Sequence, residues 1–279
     1  MSKITISADH TADLGYLQKE YDIKTITMGV VIGDDVYRCS EVTHEQIFKA
    51  VEIDNLVPKT NAGLEIDYRE LFEKATENGG SIIHYSISDK LSASHANARR
   101  AAVGLDRVYI VDSKKLSVGT GALAIKAKEL VNAGKSAEEI VKTTTAMVEK
   151  VDVGFIVHDL KYLYRGGRVS GLKLLGANAL KIRPSMIMSK DGRLVPDKKL
   201  KGDFAKAARE YIQYKISSNP NADKSVVYLA RVAVNENLIQ DMIDDLKSAG
   251  FEKVILLHVG ATMTTHCGRS TVGIVIVNK

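Results

Sequence analysis

The chain has 279 residues, 45% hydrophobic and 26% charged, with a formal net charge of +5. That length supports one large or two ordinary domains, and the balance excludes a disordered or membrane-embedded chain. No apolar run approaches the ~20 residues that cross a bilayer, and Met1-Ser2-Lys3-Ile4 leads straight into a strand-like stretch without a signal peptide, so a cytoplasmic protein with no stable membrane insertion is expected.

The positive excess comes from lysines scattered along the chain, and aromatic residues make up only 6%, which argues against a nucleic-acid partner. Cys39 and Cys267 stand far apart, and no structural disulfide is expected between them in a reducing compartment.

Short β-rich runs alternate with amphipathic stretches, the pattern of βα units feeding a largely parallel sheet. Lys3 to Ala8 predicts a first strand and Thr11 to Tyr21 a helix capped by Thr11. Ile23 to Ile32 is extended, and Gly33-Asp34-Asp35 turns it into a hairpin with Val36-Tyr37. Thr43 with Gln46 fits a capping box ahead of Ile47, Phe48 and Val51. Pro58 opens a loop, after which Tyr68, Leu71, Phe72 and Ala75 share one face of a helix that Gly79-Gly80 ends. Strand Ser81 to Ser88, helix Ser92 to Ala102, strand Val108 to Asp112 and helices Gly121 to Val131 and Lys135 to Val151 follow.

A new strand over Val153 to Val157 places the domain join near residue 152, giving domains of 1–152 and 153–279. Beyond it the pattern predicts a short helix to Tyr164, a break at Gly166-Gly167, a Leu/Ala-rich helix from Ser170 to Leu180 and a strand from Ser185 to Ser189. Asp191-Gly192 then marks a tight hairpin turn, so antiparallel strands are expected in the second half. Helices Asp203 to Ile216 and Asn235 to Ala249 alternate with strands Ser225 to Arg231, Val254 to His258 and Thr271 to Val277. The expected fold class is α/β with two domains, the first built on a parallel sheet.

No pair of His, Cys or carboxylate residues has a recognised metal-ligand spacing, so neither a metal nor another cofactor is expected. Gly119-Thr120-Gly121 lacks the third glycine of a dinucleotide fingerprint and the lysine of a phosphate loop, and a tight helix entry explains it better. Three loop segments carry small hydroxyl or amide groups where open α/β sheets gather ligands: Lys59 to Ala62, Leu91 to Ser94 and Thr264 to Gly268. Each segment taken alone is more often a cap or a turn than a site. Ser92 and His266 lack the nucleophile elbow and orienting third group of a hydrolase. Cys267 beside His266 on an extended loop would point the other way. Asp9 and Asp112-Ser113, at strand ends, either meet a ligand or bond local backbone N–H groups.

In order and spacing these segments resemble the DegV family of fatty-acid-binding proteins over nearly the whole chain. Ala8-Asp9-His10-Thr11-Ala12-Asp13-Leu14 is similar to its T-D-S-T-[AS]-D-L start, Lys59-Thr60-Asn61 to K-T-S, and Leu91-Ser92-Ala93-Ser94 to L-S-G-T. Val111-Asp112-Ser113 with Gly119-Thr120-Gly121 is similar to V-D-S…G-x-G. Tyr162 to Ser170 resembles Y-L-x-K-G-G-R-I-S, Ile182-Arg183-Pro184 resembles I-K-P, and His266-Cys267-Gly268 resembles H-x-G. The sequence departs from the pattern at Asn61, Ala93, Ser94 and Arg269.

The resemblance implies a second domain with a mixed sheet, as in dihydroxyacetone kinase subunits, and a long-chain fatty acid held in a buried pocket. It implies a carrier rather than an enzyme, with no catalytic residues of its own. The partner it implies is a fatty acid kinase that phosphorylates the carboxylate, a step towards phospholipid synthesis. A palmitate-like tail buries about fourteen methylenes at ~0.8 kcal/mol each, on the order of 11 kcal/mol before binding costs, so an enclosed apolar site suits it. Aliphatic residues from Leu172 to Leu180 are candidates for lining it.

A buried carboxylate needs donors, and Thr60, Asn61, Ser92, Ala93, Ser94 and His266 are the lipid-binding candidates through hydroxyl, amide, helix-start N–H and imidazole groups. Arg165, Arg168 and Arg193 are the candidates for contacting the partner, with Arg168 equally suited to bonding carbonyls at the Gly166-Gly167 turn. A second reading, from the same kinship, is a small-molecule enzyme in which His266 binds its substrate covalently.

Overall fold

β1 (Ile4–Asp9) is the first strand of a four-stranded sheet whose other members are β2 (Lys24–Ile26), β6 (Ser81–Ser86) and β7 (Val108–Asp112), in the order β2-β1-β6-β7. Every pairing in it is parallel, with Ile6 opposite Ile83 and Ser7 opposite His84. All six residues of β6 are buried, as expected of a parallel strand covered on both faces. The computed structural model describes residues 3–158, 160–169 and 182–279.

Helices α3 (Glu65–Thr76) and α4 (Ser94–Ala101) cover one face of this sheet, where Tyr68, Phe72, Ile82, Ala98 and Ala101 form a cluster. α5 (Val118–Asn132) and α6 (Ala137–Met147) cover the other. α1 (Leu17–Glu20) and α2 (His44–Glu52) precede them. α2 starts on the expected capping box, with Thr43 and Gln46 bonded reciprocally, and buries Ile47, Phe48 and Val51. The helix expected over Thr11 to Tyr21 is shorter: a 3-10 turn spans His10–Ala12, Asp13 takes a left-handed conformation at φ 48°, and only Leu17–Glu20 is helical. The cause is tertiary, because the Asp13 carboxylate accepts from Gly260 N at 2.8 Å and from the Ser117 hydroxyl at 2.5 Å, which holds the chain out of helix.

A small antiparallel sheet, ordered β4-β3-β5, joins β3 (Gly29–Ile32), β4 (Asp35–Arg38) and β5 (Lys59–Asn61). The first two are the expected hairpin. β5 corrects the loop expected at Lys59 to Ala62, since Thr60 pairs with Val30 and a three-residue strand carries too little pattern to be seen in sequence.

The second half builds a six-stranded sheet from β8 (Val151–Val157), β9 (Ile182–Met188), β10 (Leu194–Lys201), β11 (Ala222–Val232), β12 (Lys253–His258) and β13 (Thr271–Asn278). Its order is β10-β9-β8-β13-β11-β12, with β11 and β12 parallel and the other pairs antiparallel, so the sheet is mixed. The Asp191-Gly192 turn joins β9 to β10, and Gly192 takes φ +85°, which favours a residue without Cβ. All six of its strands lie from Val151 onward.

α8 (Phe204–Ser218) and α9 (Glu236–Ser248) pack Tyr211, Ile212, Leu238 and Met242 on one face of this sheet. The other face contributes Phe155, Tyr228, Ala230 and Val275 to a core shared with Ile6, Tyr85 and Leu123 of the first half. α7 (Lys161–Gly166) and α10 (Ala261–Cys267) complete the described helices. α10 corrects the loop expected at Thr264 to Gly268. Its three threonines are weak helix formers, but all seven residues of the helix are buried, and packing overrides propensity. The helix expected over Ser170 to Leu180 lies outside the described residues.

Candidate functional site

α10 crosses from the second half to pack against α2, α7, β3 and β5. Between these elements, β8 and the segment after β6 lies a cavity of about 400 Å³. That volume falls among ordinary small-molecule sites, roughly 300–1,000 Å³. Its wall is largely apolar, from residues such as Met28, Ile87, Leu116, Phe155, Leu163 and Met263. Thr60, Asn61, Ser92, Asn97, Arg168 and His266 supply polar groups. A smaller pocket of about 30 Å³ lies inward, sharing Leu116, Phe155, Met263 and Cys267 and reaching Gly154 and Gly273 on β8 and β13.

β5 and α10 bring Thr60 and His266 together, with the hydroxyl 2.9 Å from Nε2. Burial, reinforced by the nearby Arg168 charge, pushes the His266 imidazole down to about 4, so it is neutral at physiological pH. Its Nδ1 packs against Gly166, where a Cβ would stand 2.3 Å away, and Nδ1 has no hydrogen-bond partner among the described residues.

Ser92 lies just before α4, where its hydroxyl is 2.9 Å from that of Ser94 and accepts from Ser94 N at 3.2 Å. Ala93, the residue preceding the helix, also lines the cavity. Ser94 is fully buried one layer behind the wall, where its oxygen accepts from Gly63 N at 3.4 Å. Nearby, Tyr68 donates to Asp9 Oδ1 at 2.5 Å, Ile87 N donates to Oδ2 at 2.8 Å, and His84 Nε2 lies 3.3 Å from Oδ1. Ser7 closes the chain, 3.0 Å from His84 Nδ1.

Of the three arginines, Arg168 alone lines the cavity, with Nη1 donating to Gly166 O at 2.7 Å. Arg165 donates to Leu56 O and Asn55 Oδ1, and Arg193 pairs with Asp191 at 2.9 Å. Cys267 lines the cavity beside His266, since both sit on a helix rather than an extended loop. Burial and the Asp13 charge push its thiol up to about 12, which makes it a poor nucleophile. Asp112 accepts from the local Lys114 N, and Ser113 bonds Thr120. Gly119 and Gly121 are packing glycines: added Cβ atoms would stand 2.3 Å from Val153 and 2.8 Å from Ala12 O. Among the described residues no His, Cys, Asp or Glu cluster could hold a metal ion, and no helix is long and apolar enough to cross a membrane.

The buried polar cluster around Asp9 was not foreseen from sequence beyond Asp9 itself. Tyr68 stood out only as an apolar helix face, and His84 as one letter of a strand. Asn97, which lines the cavity and donates to Gly63 O at 2.7 Å, also gave no signal beyond helix periodicity.

A family model described as "Uncharacterised protein, DegV family" matches residues 3–279. A Thermotoga maritima protein named "Fatty acid-binding protein" is 31% identical, over 97% of this chain and 96% of its own. A Thermus thermophilus DegV-family structure described by its fatty acid binding superposes with a TM-score of 0.90 at 26% identity, covering 99% of this chain and all of that one. A second structure, from T. maritima and described as a DegV lipid-binding protein, gives 0.86 at 28% identity over 99% and 98% of the two chains. Match length, shared fold and identity agree: this chain belongs to the DegV family.

Proposed function

We propose that this protein binds a long-chain fatty acid in the cavity, with the carboxyl end at Thr60 and Ser92, and acts as a lipid carrier. The observation that carries the reading is the Thr60–His266 pair at 2.9 Å on the wall of a mostly apolar cavity that also bears Ser92. A head group with two oxygens and a long apolar tail suits such a wall, because each buried oxygen needs a hydrogen-bond partner and each methylene needs apolar cover. The fatty-acid-binding descriptions of the T. maritima and T. thermophilus relatives support the same ligand. Asn61 and Ala93 line the head region, and Ser94 acts through Ser92.

The finer part of the proposal is that the carrier presents the carboxyl group to a fatty acid kinase in the cytoplasm, feeding phospholipid synthesis. Arg168 at the cavity, with Arg165 and Arg193, would supply positive charge for that partner or its nucleotide phosphates. The alternative, covalent substrate binding by histidine, requires a ring nitrogen open to a carbonyl carbon. Nε2 is bonded to Thr60 and Nδ1 packs against Gly166, so this geometry does not favour it.

Native mass spectrometry of the protein purified from cells tests the ligand: a co-purifying long-chain fatty acid is expected. Protein that neither carries nor takes up such a lipid contradicts the proposal. For the partner, charge reversal at Arg165 and Arg193 should impair acyl-phosphate formation by a fatty acid kinase while sparing lipid retention.

A further inference from the structure

The turn that carries Ser92 is held from the other half of the chain. Between β6 and α4 the backbone folds around Ser88, whose carbonyl accepts from Leu91 N at 3.0 Å and from Ser92 N at 3.3 Å. The Ser88 hydroxyl accepts from Lys90 N at 3.3 Å and donates to the Gly192 carbonyl at 2.7 Å, across 104 residues of sequence. Ser88 N donates to Lys115 O at 2.9 Å, so every polar group of this fully buried residue is engaged.

Gly192 belongs to the turn between β9 and β10, and that turn seats directly on Ser88. A Cβ on Gly192 would stand 2.4 Å from Ser88 Oγ and 3.4 Å from Lys114 Cα, so a side chain there would lift the turn away. The turn keeps its own shape through Gly192 N donating to Ser189 O at 3.0 Å and Ser189 N donating to Arg193 O at 2.9 Å. Leu91, inside the turn from Ser88 to Ser92, and Leu194, two residues past Gly192, both line the cavity. The contact of Ser88 with Gly192 therefore joins two pieces of the cavity wall, one from each half of the chain.

A buried carbonyl or hydroxyl that loses its partner is costly, so this contact resists separation of the two elements. A hydrogen bond to a ligand also weakens steeply with distance and angle, so the affinity that Ser92 supplies depends on how firmly its turn is held. We propose that Ser88 is a positioning residue for the fatty-acid head group: through its bond to Gly192, the second half of the chain fixes where Ser92 meets the ligand. The inference rests on the fatty-acid reading above and adds to it a residue one layer behind the ligand. The linkage is reciprocal, since an acid that gains from an ordered Ser92 stabilises the seating of the turn between β9 and β10 by the same factor.

The test is palmitate affinity, by competition titration, in a cycle of Ser88→Ala and Ser92→Ala. Ser88→Ala is expected to weaken binding about fivefold, the worth of one ordinary hydrogen bond, whereas in the Ser92→Ala protein the same change should cost less than about twofold. A merely structural Ser88 would cost the same in both backgrounds, and an equal loss in both, or no loss in either, overturns this inference alone. Failure of the unsubstituted protein to bind palmitate overturns the fatty-acid reading with it. Where Ser88→Ala does not fold, Gly192→Ala carries the same cycle, because its added carbon drives the turn off Ser88 Oγ. Its effect should again depend on the Ser92 hydroxyl, and a loss independent of that hydroxyl overturns the proposal.

Discussion

Thr60 Oγ1 lies 2.9 Å from His266 Nε2 across 206 residues of sequence, and this contact ties the small sheet of the first half to a helix of the second. Each hydroxyl that meets the ligand head should contribute about 1–2 kcal/mol, or roughly 5- to 30-fold in affinity. Thr60→Val and Ser92→Ala should therefore each weaken palmitate binding by that factor in a competition titration. Unchanged affinity in both variants would remove these residues from the site.

His266 and Asp13 place opposite pH dependences on stability. Burial and the Arg168 charge hold His266 at about 4, below its ordinary 6.5, so the unfolded chain protonates first and stability is lost as pH falls from 6.5 towards 4. Burial raises Asp13 from 3.8 to about 6, against the opposing bonds from Ser117 and Gly260. The folded chain therefore protonates first here, and stability rises as pH falls from about 6 towards 3.8. Each effect is on the order of 3 kcal/mol, and they offset one another between those limits. Relative to the unsubstituted protein, the urea midpoint of His266→Gln should climb on acidification through this window and that of Asp13→Asn should fall. Parallel pH courses for all three proteins would contradict the assignment.

Gly166 leaves room for the imidazole. A methyl group there would stand 2.3 Å from His266 Nδ1, so Gly166→Ala should push the ring away from Thr60. The expected cost is about 1–3 kcal/mol of stability together with weaker lipid binding. A variant with unchanged melting temperature and affinity would show that the ring yields without cost.

Much of the fold was legible, because periodicity and turn chemistry are local. Thr43 and Gln46, the Asp191-Gly192 turn and the buried run of β6 all formed as expected. What escaped depends on distant partners. Asp13 breaks a helical pattern because Gly260 and Ser117 hold its carboxylate, and Thr262 to Cys267 fold as a helix against their own propensities because every face is covered. The candidate site was legible as a set of hydroxyl-bearing segments, but not its wiring. Periodicity marks the Tyr68 ring as core and says nothing of the oxygen it extends to Asp9.

Phe155 lines both the main cavity and the smaller pocket of about 30 Å³, together with Leu116, Met263 and Cys267. Phe155→Leu should join the two at a cost on the order of 1 kcal/mol and shift the co-purifying lipids towards longer chains. An unchanged chain-length distribution by mass spectrometry would mean that the tail does not reach this wall.

The most direct measurement is a crystal structure of the protein with palmitate bound. The head group should lie within hydrogen-bond distance of both Thr60 Oγ1 and Ser92 Oγ, with the tail running past Leu116 and Phe155. A lipid seated elsewhere, or with its head group turned away from these two hydroxyls, would contradict the account.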